Sequence, residues 1–256
     1  MDNYLAAVKL WQKFNIETEA DIDLRLDSFR ILFAYNSGKI ENAEITYHDT
    51  REIFENGRVV NFTGTPRAIF EQRNQKLCYD FLKPKLIARK PITVELVKEV
   101  HAILAGGTYD ETRYIERGER PGEFKKHDYV TGIEEVGSLP EDVEKDMTEL
   151  IKTLDEFLGK DALKLGTYFH VRFEYIHPFA DGNGRVGRTL LNYFLMIYGH
   201  PPIVIYDEDK REYYAALEQY DREQDFQAMY RFLQKETART WEKALERERR
   251  RKEQEQ

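Results

Sequence analysis

Apolar residues recur at helical spacing along three stretches of the chain. The first stretch lies directly before Ser37-Gly38, where intervals of four, three and four residues predict one apolar helical face, made of Ile22, Leu26, Phe29 and Phe33. The second follows Pro140 and has acidic residues in its first turn, which favours the helix dipole; its apolar positions are Val143, Met147, Leu150, Leu154 and Leu158. Residues 162–176 are apolar on nearly every side, as expected of a helix in the middle of a bundle.

Two stretches interrupt this helical pattern. Between Arg120 and Pro140, glycine and proline occur among residues that favour strands, which predicts a short β-hairpin; the strand-favouring residues are Phe124, Tyr129, Val130 and Thr131. Pro201-Pro202 breaks a helix that ends near Tyr198 and leaves residues 203–205 as a brief extended piece. The whole pattern predicts a mainly α fold, a helical bundle that carries one β-hairpin.

Composition narrows the class of protein. The 256 residues are 41% hydrophobic and 34% charged, which suits one large folded domain, alone or with a small appendage. The net charge of −8 does not favour nonspecific binding to nucleic acid. There is no apolar run of membrane-spanning length and no secretory leader, and Cys78 alone cannot form an internal disulfide. We expect a cytoplasmic protein that binds neither membrane nor nucleic acid, with a solvated, charged helix from Arg239 onward.

One segment concentrates groups suited to phosphate chemistry. It runs from His177 to Arg188, between the central apolar helix and the next periodic run. Pro178 ends the first helix and Gly182-Asn183-Gly184 opens the second, where small residues let backbone N–H groups converge on an anion. Arg185 and Arg188 are spaced to reach the same anion from the first helical turn. The segment therefore predicts a phosphate-binding loop.

Two further side chains of this segment are suited to catalysis. Asp181 is a carboxylate placed to hold Mg²⁺ against phosphate oxygens, and His177 titrates near neutrality at the edge of the loop. Each feature also has an ordinary explanation: a simple turn, solvated arginines and a histidine at a helix end. A zinc site is another alternative, because His170, Glu174 and His177 would share one face of a continuous helix. The coincidence of all these groups in one short segment favours the phosphate site.

The segment resembles the signature of the Fic (filamentation induced by cAMP) family, His-x-Phe-x-Asp/Glu-Gly-Asn-Gly-Arg-x-x-Arg, at every specified position. The likeness extends over residues 29–233, and residues 120–134 resemble the family's flap hairpin. It implies a Fic-type helical bundle that transfers AMP from Mg-ATP to a Ser, Thr or Tyr hydroxyl of a target protein, or of the chain itself. It also implies N-terminal helices over 1–60, a catalytic core over 61–235 and a charged C-terminal helix over 236–256.

The resemblance assigns roles position by position. His177 becomes the general base for the target hydroxyl, and Asp181 holds Mg²⁺ at the α- and β-phosphates. Arg185 binds on the β-phosphate side and Arg188 at the γ-phosphate. The nucleotide-binding set consists of Val130, Thr131, Gly132, Ile133, Glu134, Gly182, Asn183, Gly184, Arg185, Arg188, Asn192, Tyr213 and Tyr214. Asp221 departs from the asparagine that relatives often carry at this position, so its contact with ATP is not carried over.

A second signature lies upstream, at Ser37-Gly-Lys-Ile-Glu41-Asn42. It resembles the family's inhibitory motif, Ser/Thr-x-x-x-Glu-Gly/Asn, in the subclass with an N-terminal inhibitory helix. The resemblance implies that Glu41, together with Ser37, inhibits the enzyme by pairing with Arg188. The alternative is a helix that ends at Gly38 and leaves Glu41 as a surface carboxylate.

Three other functions stay open at this point. One is the removal of AMP from a modified target, with Glu41 orienting a water. Another is transfer of a different phosphate-containing group on the same fold, although the intact Asp181 and Gly182-Asn183-Gly184-Arg185 favour adenylyl transfer. The last is a noncatalytic interaction module whose flap pairs with a peptide strand. The sequence also leaves homodimerisation and the identity of the target open.

Overall fold

Helices make up most of the structure. The computed structural model describes residues 3–60, 62, 64–156 and 161–254. A π-helical turn at Thr112–Glu116 and a 3₁₀ turn at Asp207–Asp209 lie between longer helices. The α-helices of the described residues are, in chain order, α1 (Asn3–Gln12), α2 (Glu19–Glu41), α3 (Tyr47–Asn56), α4 (Pro66–Ile87), α5 (Val94–Leu104), α6 (Val143–Glu156), α7 (Ala162–Ile176), α8 (Asn183–Ile197), α9 (Lys210–Glu223) and α10 (Gln227–Gln254).

The pair α7 and α8 forms the centre of the bundle. Helices α2, α4 and α5 pack against α8, whereas α6, α9 and α10 pack against α7. Gly166 of α7 permits close contact, because a Cβ at this position would lie 3.1 Å from Leu191 Cδ1 of α8. Phe169 and Phe173 of α7 are fully buried. The prediction of a central apolar helix over 162–176 is confirmed, as is the mainly helical fold.

Helix α2 begins with a capping box at Thr18, whose side chain accepts a hydrogen bond from the Asp21 backbone N–H. The helix continues through Gly38 and ends at Glu41. A Cβ at Gly38 would collide with the side chain of Gln72 on α4, so the glycine permits α2 and α4 to pack closely. The alternative of a helix end at Gly38 is therefore wrong.

The other predicted apolar faces point into the core. Ile22 and Leu26 of α2 are buried, and Phe29 and Phe33 pack as a stacked pair with ring centroids 5.9 Å apart. On α6 the buried positions are Val143, Met147, Leu150 and Leu154. The fifth predicted position, Leu158, lies outside the described residues.

The predicted β-hairpin is not supported. In the described part of residues 120–140, the only β-type pairing is an isolated antiparallel bridge between Thr131 and Val136. The backbone of this segment instead bonds to the α7–α8 connection: Lys125 N–H donates to the Pro178 carbonyl and Ser138 N–H to that of Ile176, each over 2.9 Å. Because these donors are used by the bundle, no ladder of strand pairs extends from the bridge.

The charged C-terminal segment is a helix that is only partly solvated. α10 runs without a break across residue 235, and its Trp241 and Leu245 are buried. Trp241 packs edge-on against Trp11 of α1, with ring centroids 5.4 Å apart. The two ends of the described chain are thereby packed together. No helix within the described ranges is long and apolar enough to cross a membrane.

Candidate active site

The α7–α8 connection forms a tight loop at the centre of the bundle. His177 adopts a left-handed backbone with φ 50°, and its N–H donates to the Phe173 carbonyl at the end of α7. The Asn183 side chain fixes the loop from the other end, since Oδ1 accepts from Phe179 N–H and Nδ2 donates to the Phe179 carbonyl. Gly182, with φ 83°, precedes α8 and provides no capping side chain. The N–H groups of the first α8 turn therefore remain available to an anion.

His177 is held in its neutral form. Burial lowers its pKa to about 4, and the nearby Lys125 ammonium acts in the same direction, whereas Asp181 opposes them. At pH 7 the imidazole is therefore unprotonated and able to accept a proton. Its Nδ1 is buried and has no hydrogen-bond partner among the described residues, which leaves Nε2 as the nitrogen available to a substrate.

The Asp181 carboxylate lies beside the loop in a cluster of charges. Its Oδ2 accepts from Arg67 Nη2 at 2.7 Å, and its Oδ1 lies 3.5 Å from Arg185 Nη2. Glu71 is the second carboxylate of the cluster: its Oε1 accepts from Arg67 Nε at 2.9 Å and lies 3.3 Å from Arg185 Nη1. Arg185 and Glu71 are both buried, so the cluster fixes the position of the arginine.

Arg188 lies under the end of α2. Its Nε donates to Ser37 Oγ at 3.1 Å, and its Nη2 donates to the Ser37 carbonyl and to Glu41 Oε1, each at 2.9 Å. Burial alone would lower the pKa of Arg188, but the neighbouring Glu41, with further contributions from Tyr213 and Glu174, raises it above its ordinary value. Gly184 makes room for this pair, because a Cβ there would collide with the Glu41 carboxylate.

Two cavities meet at the loop. The first, of about 180 Å³, extends towards α9; the second, of about 310 Å³, extends over the N-terminus of α8 towards Arg67 and Asp181. Glu41, His177 and Gly184 line both cavities. A molecule that enters at α9 can thus reach the histidine and the N-terminus of α8 together. We name the first the α9-side cavity and the second the loop-side cavity.

The chain is similar to proteins of a known family. Residues 91–195 match the Fic/DOC family. The chain is 31% identical over 216 residues to "Protein adenylyltransferase Fic" of Nematostella vectensis, which covers 80% of this chain and 46% of that protein. Residues 91–195 form a Fic/DOC domain. The resemblance implied by the Fic signature is thereby confirmed.

Solved structures support the Fic fold. A Fic domain containing signaling protein from Bacteroides thetaiotaomicron superposes with a TM-score of 0.81 at 25% identity, over 95% of each chain. Fic-1 of C. elegans superposes with a TM-score of 0.77 at 23% identity, over 100% of this chain and 73% of that one, which shows the fold alone. The chain spans less than half the length of the curated protein adenylyltransferases it matches.

Most residues of the Fic signature and several from the 120–140 segment line the two cavities. The α9-side cavity contains Thr131, Gly132, Arg188, Tyr213 and Tyr214, and also Asp221 and Glu174. The loop-side cavity contains Val130, His177, Asp181, Gly182, Asn183, Gly184 and Arg185. Burial raises the pKa of Asp221 to about 6, with further contributions from Glu218 and Glu134.

Three predicted nucleotide-binding residues do not line either cavity. Asn192 bonds through its side-chain amide to both backbone groups of Ile203, so it holds residues 201–205 in place. Ile133 is exposed, and Glu134 forms an ion pair of 2.7 Å with Arg222 of α9. Their assignment to the nucleotide stays a prediction from the Fic resemblance.

The alternative zinc site is not formed. Among the described residues, no group of three His, Cys, Asp or Glu side chains is arranged to hold a metal ion. α7 ends at Ile176, so His177 leaves the helical face that carries His170 and Glu174. His170 Nε2 is instead hydrogen-bonded to the Tyr213 hydroxyl at 2.9 Å.

Sequence reasoning missed Arg67 and Glu71, and it did not place Glu174 in the α9-side cavity. Arg67 and Glu71 lie on α4, far from the Fic signature in sequence, and only the fold brings them to Asp181. Their separation by one helical turn is a weak signal, because such pairs are common on solvated helices. Glu174 faces the α9-side cavity, and its burial raises its pKa to about 8.

Proposed function

We propose that the chain is a protein adenylyltransferase that moves AMP from Mg-ATP to a Ser, Thr or Tyr hydroxyl. The observation that carries this proposal is the meeting of a neutral His177 with the open N-terminus of α8 and two buried arginines. A triphosphate chain matches this set of donors, and a hydroxyl nucleophile needs a base of this kind. Relatives of the chain carry the name protein adenylyltransferase.

His177 accepts the proton of the target hydroxyl at Nε2 as the hydroxyl oxygen bonds to the α-phosphorus and pyrophosphate leaves. The backbone N–H groups of Gly182, Asn183 and Gly184 bind phosphate oxygens. Arg185 and Arg188 neutralise the β- and γ-phosphates. The α9-side cavity accommodates the nucleoside, with Thr131, Gly132, Tyr213 and Tyr214 around it.

The donor set at Asp181 fits a magnesium ion bound together with a triphosphate. The carboxylate lines the loop-side cavity and already holds a cation, the Arg67 guanidinium. One carboxylate plus phosphate oxygens and water is a common way to bind Mg²⁺. When bound, the ion neutralises charge that develops on the phosphates.

Glu41 gives the enzyme an internal inhibitor. Its ion pair with Arg188 occupies a guanidinium that the γ-phosphate would otherwise bind. Ser37 holds the same guanidinium from the side of α2. While the Glu41–Arg188 ion pair is formed, bound ATP cannot place its γ-phosphate on Arg188.

The removal of AMP from a modified hydroxyl is a second candidate function. Glu41 lines both cavities beside His177, where a carboxylate can orient a water. Location in the cytoplasm and homodimerisation remain predictions from the sequence.

The test uses ATP labelled at one phosphate at a time. The Glu41→Gly chain, incubated with Mg²⁺, is expected to retain label on protein from α-labelled ATP and none from γ-labelled ATP. The double variant Glu41→Gly with His177→Ala is the matched control and should retain neither. Retention of the γ-label would indicate phosphate transfer, and an absence of both labels in the single variant would refute the proposal.

A further inference from the structure

The Asp181 carboxylate is already paired with a cation in this structure. Arg67 Nη2 donates to Asp181 Oδ2 over 2.7 Å, a distance typical of a charge-assisted hydrogen bond. The Asp181 side chain is 18% exposed and that of Arg67 39%, so solvent screens this pair only in part. Both residues line the loop-side cavity. A divalent cation that binds Asp181 Oδ2 therefore has to compete with the Arg67 guanidinium.

The Arg67 side chain is held for this contact by Glu71. Its Nε donates to Glu71 Oε1 at 2.9 Å, which fixes the guanidinium plane while Nη2 points to Asp181. Glu71 is itself 2% exposed, and its Oε2 accepts from Asn42 Nδ2 at 3.1 Å. Because the anchor is buried and bonded from both sides, Arg67 loses less side-chain entropy on pairing than an unrestrained surface arginine does.

We propose that Arg67 is a built-in counter-cation of Asp181, which a divalent metal ion must displace before nucleotide binds productively. The inference rests on the proposed function in taking Asp181 as the metal ligand. Arg67 thereby raises the Mg²⁺ concentration that nucleotide binding requires. It is a positioning residue, since it acts on the metal through Asp181.

This contact is separate from the pairing of Glu41 with Arg188. Glu41 is an anion from α2 that occupies a phosphate-binding cation, whereas Arg67 is a cation from α4 that occupies the metal-binding anion. The two ion pairs share no residue, so we expect removal of Glu41 to leave the Arg67 pair in place. A chain freed of Glu41 therefore still has a raised requirement for Mg²⁺.

A different role for Arg67 makes the opposite prediction. If its guanidinium bound a phosphate oxygen directly, its loss would weaken nucleotide binding at every Mg²⁺ concentration. If it competes with the metal, its loss lowers the Mg²⁺ requirement. The sign of the change thus separates competition from direct binding.

The experiment measures ATP binding calorimetrically over a series of Mg²⁺ concentrations at constant ionic strength. The parent is the full chain with Glu41→Gly and His177→Ala, so that Arg188 is free and ATP is not consumed. Adding Arg67→Gln is expected to lower the half-saturating Mg²⁺ concentration about threefold to thirtyfold, the range for a partly exposed charge-assisted pair. Arg67→Lys keeps the charge but loses the two-pronged geometry of the guanidinium. It should therefore lower the half-saturating Mg²⁺ concentration by less than Arg67→Gln does.

Arg73→Gln is the matched control, because it removes the same charge from an exposed position of α4. It should leave the Mg²⁺ requirement unchanged. Thermal unfolding of each variant checks that the bundle is intact. An unchanged or higher Mg²⁺ requirement in the Arg67→Gln chain, relative to Arg73→Gln, would overturn the proposal.

A second measurement keeps the inference separate from the proposed function. Mn²⁺ is titrated without nucleotide and free Mn²⁺ is followed by electron paramagnetic resonance. Arg67→Gln should bind Mn²⁺ more tightly than the parent, and adding Asp181→Asn should abolish this gain. If no variant binds ATP, the proposed function fails while the Mn²⁺ titration still decides the inference. Equal Mn²⁺ affinity with and without Arg67 refutes it.

Discussion

At the scale of single residues, His177 combines an unusual backbone with an unusual acidity. Its left-handed conformation turns the chain out of α7, and its burial keeps the imidazole neutral. Both effects suit a base that must be unprotonated before the substrate arrives. A histidine on a regular, solvated helix would have neither property.

Replacement His177→Ala is expected to reduce transfer by about 10² to 10⁴, the usual contribution of a general base. ATP binding should change little, because the imidazole is needed only for proton removal. Single-turnover transfer and equilibrium ATP binding measure the two quantities, both in the Glu41→Gly background. Transfer at nearly the parental rate would show that another group removes the proton.

The signature residues could be predicted from the sequence because they lie within one short segment. Arg67 could not, since the fold alone brings it to Asp181 across 114 positions. Asn183 belongs to the predicted set, but its side chain is used to hold the Phe179 backbone. Spacing identifies which residues a loop contains, and not which way each side chain turns.

At the scale of elements, α2 is a helix whose last turn delivers Ser37 and Glu41 to Arg188. Apolar periodicity predicted its first part, and the close packing of Gly38 on α4 accounts for its continuation. The hairpin was mispredicted because residues 120–140 contain strand-favouring side chains, while two of their backbone donors, those of Lys125 and Ser138, bond to carbonyls at the end of α7 and in the α7–α8 connection. Local preference was outweighed by tertiary contacts.

Removal of the Glu41 carboxylate is expected to raise self-modification about tenfold to a hundredfold or more, since charge-assisted hydrogen bonds contribute about 1.5 to 3 kcal/mol each. Glu41→Gln should activate in the same direction without the loss of helix propensity that Glu41→Gly brings. Incorporation of α-labelled AMP into the chain is the readout. The autoinhibition hypothesis is wrong if both variants are no more active than the parent.

At the scale of the whole molecule, buried ionisable groups set the pH range of stability. Burial lowers the pKa of His101 and His170 to about 3 and that of His200 to about 4. Below the ordinary histidine pKa of 6.5 these histidines are protonated in the unfolded chain and still neutral in the folded one. The free energy of unfolding therefore falls on acidification. Burial raises the pKa of Glu174 to about 8 and that of Glu236 to about 7, which makes stability fall as pH rises from 4.5.

We expect the free energy of unfolding to pass through a maximum between these limits, as measured by urea unfolding at a series of pH values. Glu174→Gln should remove much of the alkaline decline. At about pH 7 the variant should gain on the order of 3 kcal/mol in the free energy of unfolding, since one pKa unit corresponds to about 1.4 kcal/mol. Near pH 4.5 this gain should vanish. A gain of equal size at both pH values would trace the effect to packing instead of ionisation.

The packing of α1 on α10 has a consequence for how Glu41 can act. α1 leads into α2 through a short connection, and Trp11 fixes it against Trp241 at the far end of the chain. The start of α2 is held through α1, and its later part is packed on α4 near Gly38. Glu41 is thus presented to Arg188 at a high effective concentration that geometry sets and dilution does not alter. Under the proposed autoinhibition, an activator would have to compete with a tethered group, and its potency would depend on its own affinity and not on the amount of enzyme.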